Sequence, residues 1–408
     1  MLRGSKTLLI GMAFASAFSG SAWAGGFSRG TADTDILFED GNFVMRAGAL
    51  YVAPQRGYDS VTIGGVSTAS TDGNYLDSYM VPGVALKLNL TDDVRCAGTY
   101  TQPFGANATY GPQAITAGIT ADALDGAGVN SSGTAYTKFS TDEFGLTCGY
   151  KFNAGKGNFW LMGGGFLESI SYNEGNRIGN ATLGPIGALS LHEGMVPGFR
   201  LGAAYEIPEI ALRVQAMYRS QVEHNLTGSF SVTGFGVLNA ASIGSATMPQ
   251  SFEVKAQTGI APTWLAFGSL KWTDWSVLQT LNYTTTGARQ KDFFYKDGWT
   301  VTGGIGHSFT DHLSGLVSLT WDSGVSTTED VNKDTFTFAT GVSLKGDNGG
   351  EFRVGGAVSY LQGGSVAQAA TCLDGNATIC GSGVGAAYAN TVGNDWSFAL
   401  GASFNLNF

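Results

Sequence analysis

Residues 395–408 read DWSFALGASFNLNF. Trp396, Phe398, Leu400, Ala402, Phe404, Leu406 and Phe408 fall on one side of this stretch, and Ser397, Ala399, Gly401, Ser403, Asn405 and Asn407 fall on the other. Successive side chains of a strand point to opposite faces, so an unbroken period of two marks a strand with one face in an apolar medium. The same alternation recurs upstream. Phe336, Phe338, Val342 and Leu344 alternate with Thr335, Thr337, Gly341 and Ser343, and Ile210, Leu212, Val214 and Tyr218 alternate with Arg213, Gln215, Arg219 and Gln221.

Carried along the chain, this pattern predicts fourteen strands, at 43–52, 79–90, 94–103, 136–152, 158–172, 198–207, 210–223, 251–260, 264–284, 293–309, 313–325, 335–345, 351–362 and 395–408. Their connections alternate between short turns, such as Thr91-Asp92-Asp93 and Ala261-Pro262-Thr263, and stretches that are mostly much longer. Short turns on one side and long loops on the other are the signature of an outer-membrane barrel, with the long loops extracellular. Open strand edges in lipid would leave backbone groups unpaired, so the sheet must close. The expected fold class is all-β: a transmembrane antiparallel β-barrel of about 14 strands, with both termini on the short-turn side. A soluble propeller or sandwich would also show many strands, but it would lack this asymmetry, and no blade-length repeat is present.

Composition narrows the function. Of 408 residues, 61 are glycine, 43% are hydrophobic and only 13% are charged, with a formal charge of -10. This chain has no basic face for nucleic acid, and it is too hydrophobic for a disordered segment. Beyond the N-terminus, no apolar run reaches the ~20 residues that a membrane helix needs. Residues 1–24 read as a secretory signal: Arg3 and Lys6 precede an apolar run, and Ala22-Trp23-Ala24 forms an A-x-A cleavage site. Export permits disulfides. Cys372 and Cys380 bracket a short polar turn and are expected to pair, whereas Cys96 and Cys148 can pair only if their strands are neighbours. With four histidines and no C-x-x-C spacing, no metal is expected, and no cofactor is implied. His307 and Ser308 fall on opposite faces of one strand, and Gly303-Gly304-Ile305-Gly306 lies within a strand, so neither reads as an enzyme motif.

Other residues carry a resemblance to a known family. Pro249-Gln250-Ser251-Phe252 at the eighth strand, Trp272-Thr273-Asp274-Trp275-Ser276 in the ninth and Asp297-Gly298-Trp299 at the tenth, in this order, resemble the outer-membrane long-chain fatty-acid transporters of the FadL type (OMPP1/TodX-like). The likeness covers essentially the whole chain after the signal. It implies passive diffusion of long-chain fatty acids or similar hydrophobic compounds across the bacterial outer membrane, and no enzymatic activity. It also implies capture by extracellular loops, an N-terminal hatch inside the barrel, and a kinked third strand opening toward lipid. Residues 25–42 would be the hatch and 43–408 the barrel. The family's Asn-Pro-Ala turn is replaced by Phe38-Glu39-Asp40-Gly41-Asn42.

Several residues follow as site candidates. Pro103 and Gly105 at the third strand predict either a break in the wall or the strand's end. The loop 173–197 carries Leu183, Ile186, Leu189 and Leu191, and the loop 224–250 carries Phe230, Phe235 and Leu238. These form a shared apolar groove or pack the loops over the barrel mouth. Arg213 and Arg219 on the inner face are the first choices to pair with a carboxylate headgroup. Arg29, Asp33, Asp35, Glu39 and Asp40 would tie the hatch to that wall. Trp160, Trp264, Trp299, Tyr360 and Trp396 fit interfacial girdles. The expected partners are a long-chain fatty acid or other hydrophobic small molecule and outer-membrane lipid, with no nucleic acid and a monomeric chain. A structural or adhesive surface barrel and a general porin are the alternatives.

Overall fold

The computed structural model describes residues 26–63, 65–123, 131–233, 238–285, 287–327, 331–368 and 388–408. Fourteen antiparallel strands close a barrel: β1 (Phe43–Gln55), β2 (Tyr79–Asn89), β3 (Val94–Thr101), β4 (Ser132–Ala154), β5 (Gly157–Ile178), β6 (Ile186–Ile207), β7 (Leu212–Arg219), β8 (Ser251–Ala261), β9 (Trp264–Thr273), β10 (Gly298–Ser308), β11 (Leu313–Asp322), β12 (Thr335–Lys345), β13 (Gly350–Leu361) and β14 (Asp395–Asn407). Each pairs with its sequence neighbour, and β14 returns to β1 in a register running from Val44 opposite Asn407 to Gln55 opposite Trp396. No described helix is long and apolar enough to cross a membrane; the crossing is made by strands.

The alternation in the last strand holds. Ser397, Ala399, Ser403 and Asn405 are buried toward the lumen, while Trp396, Phe398, Leu400 and Phe404 stand exposed on the outside. The same exposed row runs through Leu161 and Leu167, Phe199 and Leu201, Phe336 and Phe338, and Phe352 and Val354. Large apolar side chains on the outer face of every such strand make the belt that faces lipid. Trp264, Trp299 and Trp396 stand outward, as interfacial aromatics do. Trp160 does not: it is fully buried in the lumen, its Nε1 donating to Glu206 Oε1 at 3.0 Å.

Three strands are far longer than a membrane requires. β4, β5 and β6 have 23, 22 and 22 residues, against the roughly 9–11 that span a bilayer. On the outer face of β5 the apolar row ends after Leu167 and continues as Ser169, Ser171 and Asn173, while the inner face carries the buried Phe166, Glu168, Ile170 and Tyr172. The wall therefore leaves the membrane without ceasing to be a strand. This corrects the reading of 173–197 as a loop. The stretch 224–250 is likewise a hairpin, Val222–Val232 against Leu238–Met248, docked on β6 through Phe230 opposite Leu189. The expected strand 264–284 is two elements: β9 ends at Thr273, and Thr280–Thr284 pairs with Ala288–Asp292 in a separate hairpin. A four-stranded sheet of residues 60–63, 66–69, 364–368 and 388–392, together with helix α1 (Pro112–Asp122) against β4, completes the extracellular part.

Cys96 and Cys148 sit directly opposite each other on β3 and β4 and form a disulfide. The expected Cys372–Cys380 bridge, the signal at 1–24 and Phe235 lie outside the described residues.

Candidate functional site

The extracellular extensions of β4, β5 and their neighbours enclose a cavity of about 220 Å³. Phe139, Ile170 and Tyr172 come from the barrel strands, Leu226 and Met248 from the docked hairpin, and Leu281 from the hairpin after β9. The strand parity that keeps these residues on the inner face is the parity that faces Trp160 and Met162 into the lumen lower down. Three cations, Arg56, Lys291 and Lys333, join the lining.

The cavity floor is Phe27. Its ring meets Phe139, Phe293 and Tyr295 at centroid distances of 5.6 Å and Trp275 at 5.9 Å. Below it the N-terminal segment packs on inward-facing wall residues. A 3-10 turn at Thr34–Phe38 buries Ile36 and Leu37 completely against Val44, Ala85, Ala97, Trp160 and Ala204.

Polar ties reach this segment from several strands. Arg46 of β1 donates to Asp33 at 2.5 Å and Glu39 at 2.6 Å. Lys87 of β2 donates to the carbonyls of Glu39 and Gly41, Arg95 of β3 to that of Leu37, and Lys255 of β8 to Asp35 at 3.1 Å. Burial alone would push the Asp35 carboxyl up, but Lys255, then Arg213 and Arg46, outweigh it and hold it below the usual range. Arg29 sits 4.0 Å from the centre of the Tyr79 ring, and burial lowers its guanidinium from the ordinary value against the opposing pull of Tyr79.

Beside this segment the wall is broken. β3 stops at Thr101, and pairing with β4 resumes with the short strand Gly105–Thr109. Pro103 has no N–H to give a ladder. The freed groups are taken by the N-terminal segment: Gly30 N donates to Gln102 O at 2.9 Å, Arg29 N to Pro103 O at 2.8 Å, and Gly105 N to Phe27 O at 2.8 Å. On the other flank, β2 pairs with β3 up to Gly83 opposite Thr101, and contact resumes where Asp77 N donates to Asn107 O. Among the described residues, β2 therefore pairs with β3 only from Gly83 onward, while Tyr79–Pro82 pairs with β1. Both readings of Pro103 and Gly105 meet here: β3 ends at Thr101, and the wall is interrupted before Gly105.

Residues 10–400 match the family described as outer membrane protein transport protein (OMPP1/FadL/TodX). The chain belongs to this family. It is an outer-membrane transporter of hydrophobic compounds and not an enzyme. Among the family's curated members, the long-chain fatty acid transport protein of Salmonella typhi is 23% identical over 369 residues, 78% of each chain. That of Escherichia coli K12 is 25% identical over 191 residues, covering 41% of this chain and 42% of that one. The crystal structure of a Pseudomonas aeruginosa FadL homologue shares the fold with a TM-score of 0.72 at 14% identity, covering 96% of this chain and 98% of that one. The P. putida toluene transporter TodX does so at 0.58 and 15%, covering 91% and 92%.

Within this family member, the residues singled out from sequence fall in several places. Leu189 and Leu191 are buried in the same apolar cluster as Tyr172, Leu226 and Met248, with Phe230 packed against it. They stand behind the cavity lining rather than in it. Ile186 begins β6 opposite Arg177, and Leu238 opens the docked hairpin opposite Val232. Leu183 projects from the β5–β6 turn, 86% exposed.

Both arginines chosen for a headgroup lie elsewhere. Arg213 is buried over the Phe38 ring at 4.2 Å. Arg219 donates to Glu143 at 3.0 Å, to Glu168 and to Pro249 O, below the cavity. Glu143 also pairs with Arg200, and His224 lies between Glu168 at 3.2 Å and Glu193 at 2.9 Å. The ties from Asp33, Asp35 and Glu39 run to β1 and β8. The Asp40 side chain is exposed, and this residue is held through its carbonyl, which accepts from Asn407. Sequence reasoning missed Phe27, Arg56, Lys291 and Lys333. Phe139 and Tyr172 could have been found by following the strand parity of β4 and β5 past the membrane.

Proposed function

We propose that this chain takes up long-chain fatty acids or lipophiles making similar demands, captures them in the extracellular cavity and passes them by diffusion past the N-terminal segment. The observation that carries this reading is that one residue, Phe27, both floors the cavity and begins the segment whose next three residues sit in the break of β3. Movement of that segment would open the cavity downward and toward the gap between β2 and β3 at once. Apolar lining favours hydrophobic cargo, and the outward belt provides the lipid contact. Since β14 closes on β1 within one chain, a single copy supplies the whole wall.

The test is uptake of a labelled long-chain fatty acid by cells carrying the full chain or its variants. Phe27→Ala is expected to change the uptake rate several-fold with barrel assembly intact, and Leu226→Asp to abolish saturable binding. Unchanged uptake and binding in both variants would overturn the proposal.

A further inference from the structure

The cavity lining is rich in aromatic side chains. Tyr58, Tyr75 and Tyr110 form a stack, with successive centroids 4.8 and 5.5 Å apart and ring planes within 21° of one another. Phe27, Phe139 and Phe293 also line it. An alkyl chain gains the same burial against any apolar wall, whereas a ring gains additional face and edge contacts only against other rings. Size points the same way. A cavity of about 220 Å³ exceeds the roughly 150 Å³ that holds a benzene and falls short of the roughly 300 Å³ at which pockets for drug-sized ligands begin.

The charges decide the head of the ligand. Arg56 donates to Val331 O at 3.0 Å and Gln362 O at 2.6 Å, and its Nε lies 3.5 Å from Asp395. Lys291 is 3.0 Å from Glu174. Lys333 makes no hydrogen bond or ion pair with any described residue. Its stem runs past Gly364, where a Cβ would come within 3.0 Å of it, so the glycine leaves the lysine its place. Asn390 also lines the cavity. Its Oδ1 accepts from Thr62 N, and its amide N–H groups are uncommitted among the described residues. Lys333 is half-buried in this lining, and a carboxylate in the cavity would give its ammonium a charge-assisted bond.

We propose that the cavity selects compact aromatic carboxylates, one ring bearing an acid group, with the ring among the aromatic side chains and the carboxylate on Lys333. The inference rests on the cavity being the entry site for cargo, and it narrows that cargo. Calorimetric titration of the detergent-purified full chain with 4-propylbenzoate, propylbenzene and oleate tests it. The wild type is expected to bind the aryl acid most tightly. Lys333→Gln should weaken the acid about ten- to hundred-fold, the loss of one charged hydrogen bond, while propylbenzene changes less than two-fold and Lys333→Arg retains the acid. Tyr75→Leu, a second variant, should weaken both ring ligands and leave oleate unchanged. If propylbenzene or oleate binds more tightly than the acid, or if Lys333→Gln leaves the acid unaffected, the inference falls while the uptake reading stands. Binding of none of the three to the wild type overturns both.

Discussion

The upper and lower halves of this lumen are built from similar residue types and do opposite things with them. Below Phe27, Arg46, Lys87, Arg95, Arg200, Arg219 and Lys255 find carboxylates or carbonyls, Arg213 lies over the Phe38 ring, and Ile36 and Leu37 of the N-terminal segment pack against the wall. Above it, apolar and aromatic surfaces face an unfilled cavity, and one of three lining cations is uncommitted. A charge already paired holds structure together; a charge left over beside apolar surface is available to a ligand. Counting inward arginines therefore says little about recognition until their partners are known.

That contrast can be tested by substitutions on either side of Phe27. The largest effect is expected from Arg46→Ala, which strands Asp33 and Glu39 in the lumen. Breaking a buried pair from one side costs roughly 3–5 kcal/mol, read by urea unfolding in micelles, and bilayer recordings should show raised ion conductance as the segment loosens. Arg219→Ala should cost about 1–3 kcal/mol, because Glu143 keeps Arg200 but Glu168 loses a charged hydrogen bond. Ligand affinity should shift less than two-fold in this variant; a large shift would return Arg219 to the binding site and dissolve the division between the halves.

A smaller effect follows from pH. The Asp35 carboxyl is held below its ordinary range, so its tie to Lys255 contributes fully above the unfolded value of about 3.9 and is lost as pH falls through the lower folded value. Conductance should rise below about pH 4, and Asp35→Asn should remove that component of the pH dependence. Smallest of all, Leu183→Asp at the exposed turn should change stability by no more than about 0.5 kcal/mol and leave binding unaltered. Weakened capture in that variant would extend the site beyond the cavity.

How far the molecule can be read from its sequence follows the same division. Strand number, closure and turn asymmetry were legible because lipid on one side and lumen on the other impose a period of two on every spanning segment, whereas Pro103, which cannot supply a ladder N–H, left a wall break and a strand end as equal readings. The ends of β4, β5 and β6 were misjudged because, once the wall leaves the membrane, the outer face turns polar and the strand resembles a loop. The surroundings of Arg213 and Arg219 were not legible for a different reason: alternation says which way a side chain points and nothing about which group waits opposite.

By itself, then, the sequence determined an exported, closed fourteen-strand barrel with an apolar exterior, since these properties are periodic and local. The tertiary structure alone decided that Phe27 floors the cavity, that Tyr58, Tyr75 and Tyr110 stack, and that Lys333 lines that cavity without a partner among the described residues. Those residues come from segments without periodicity, and a cation's availability depends on contacts between strands that lie far apart in the chain.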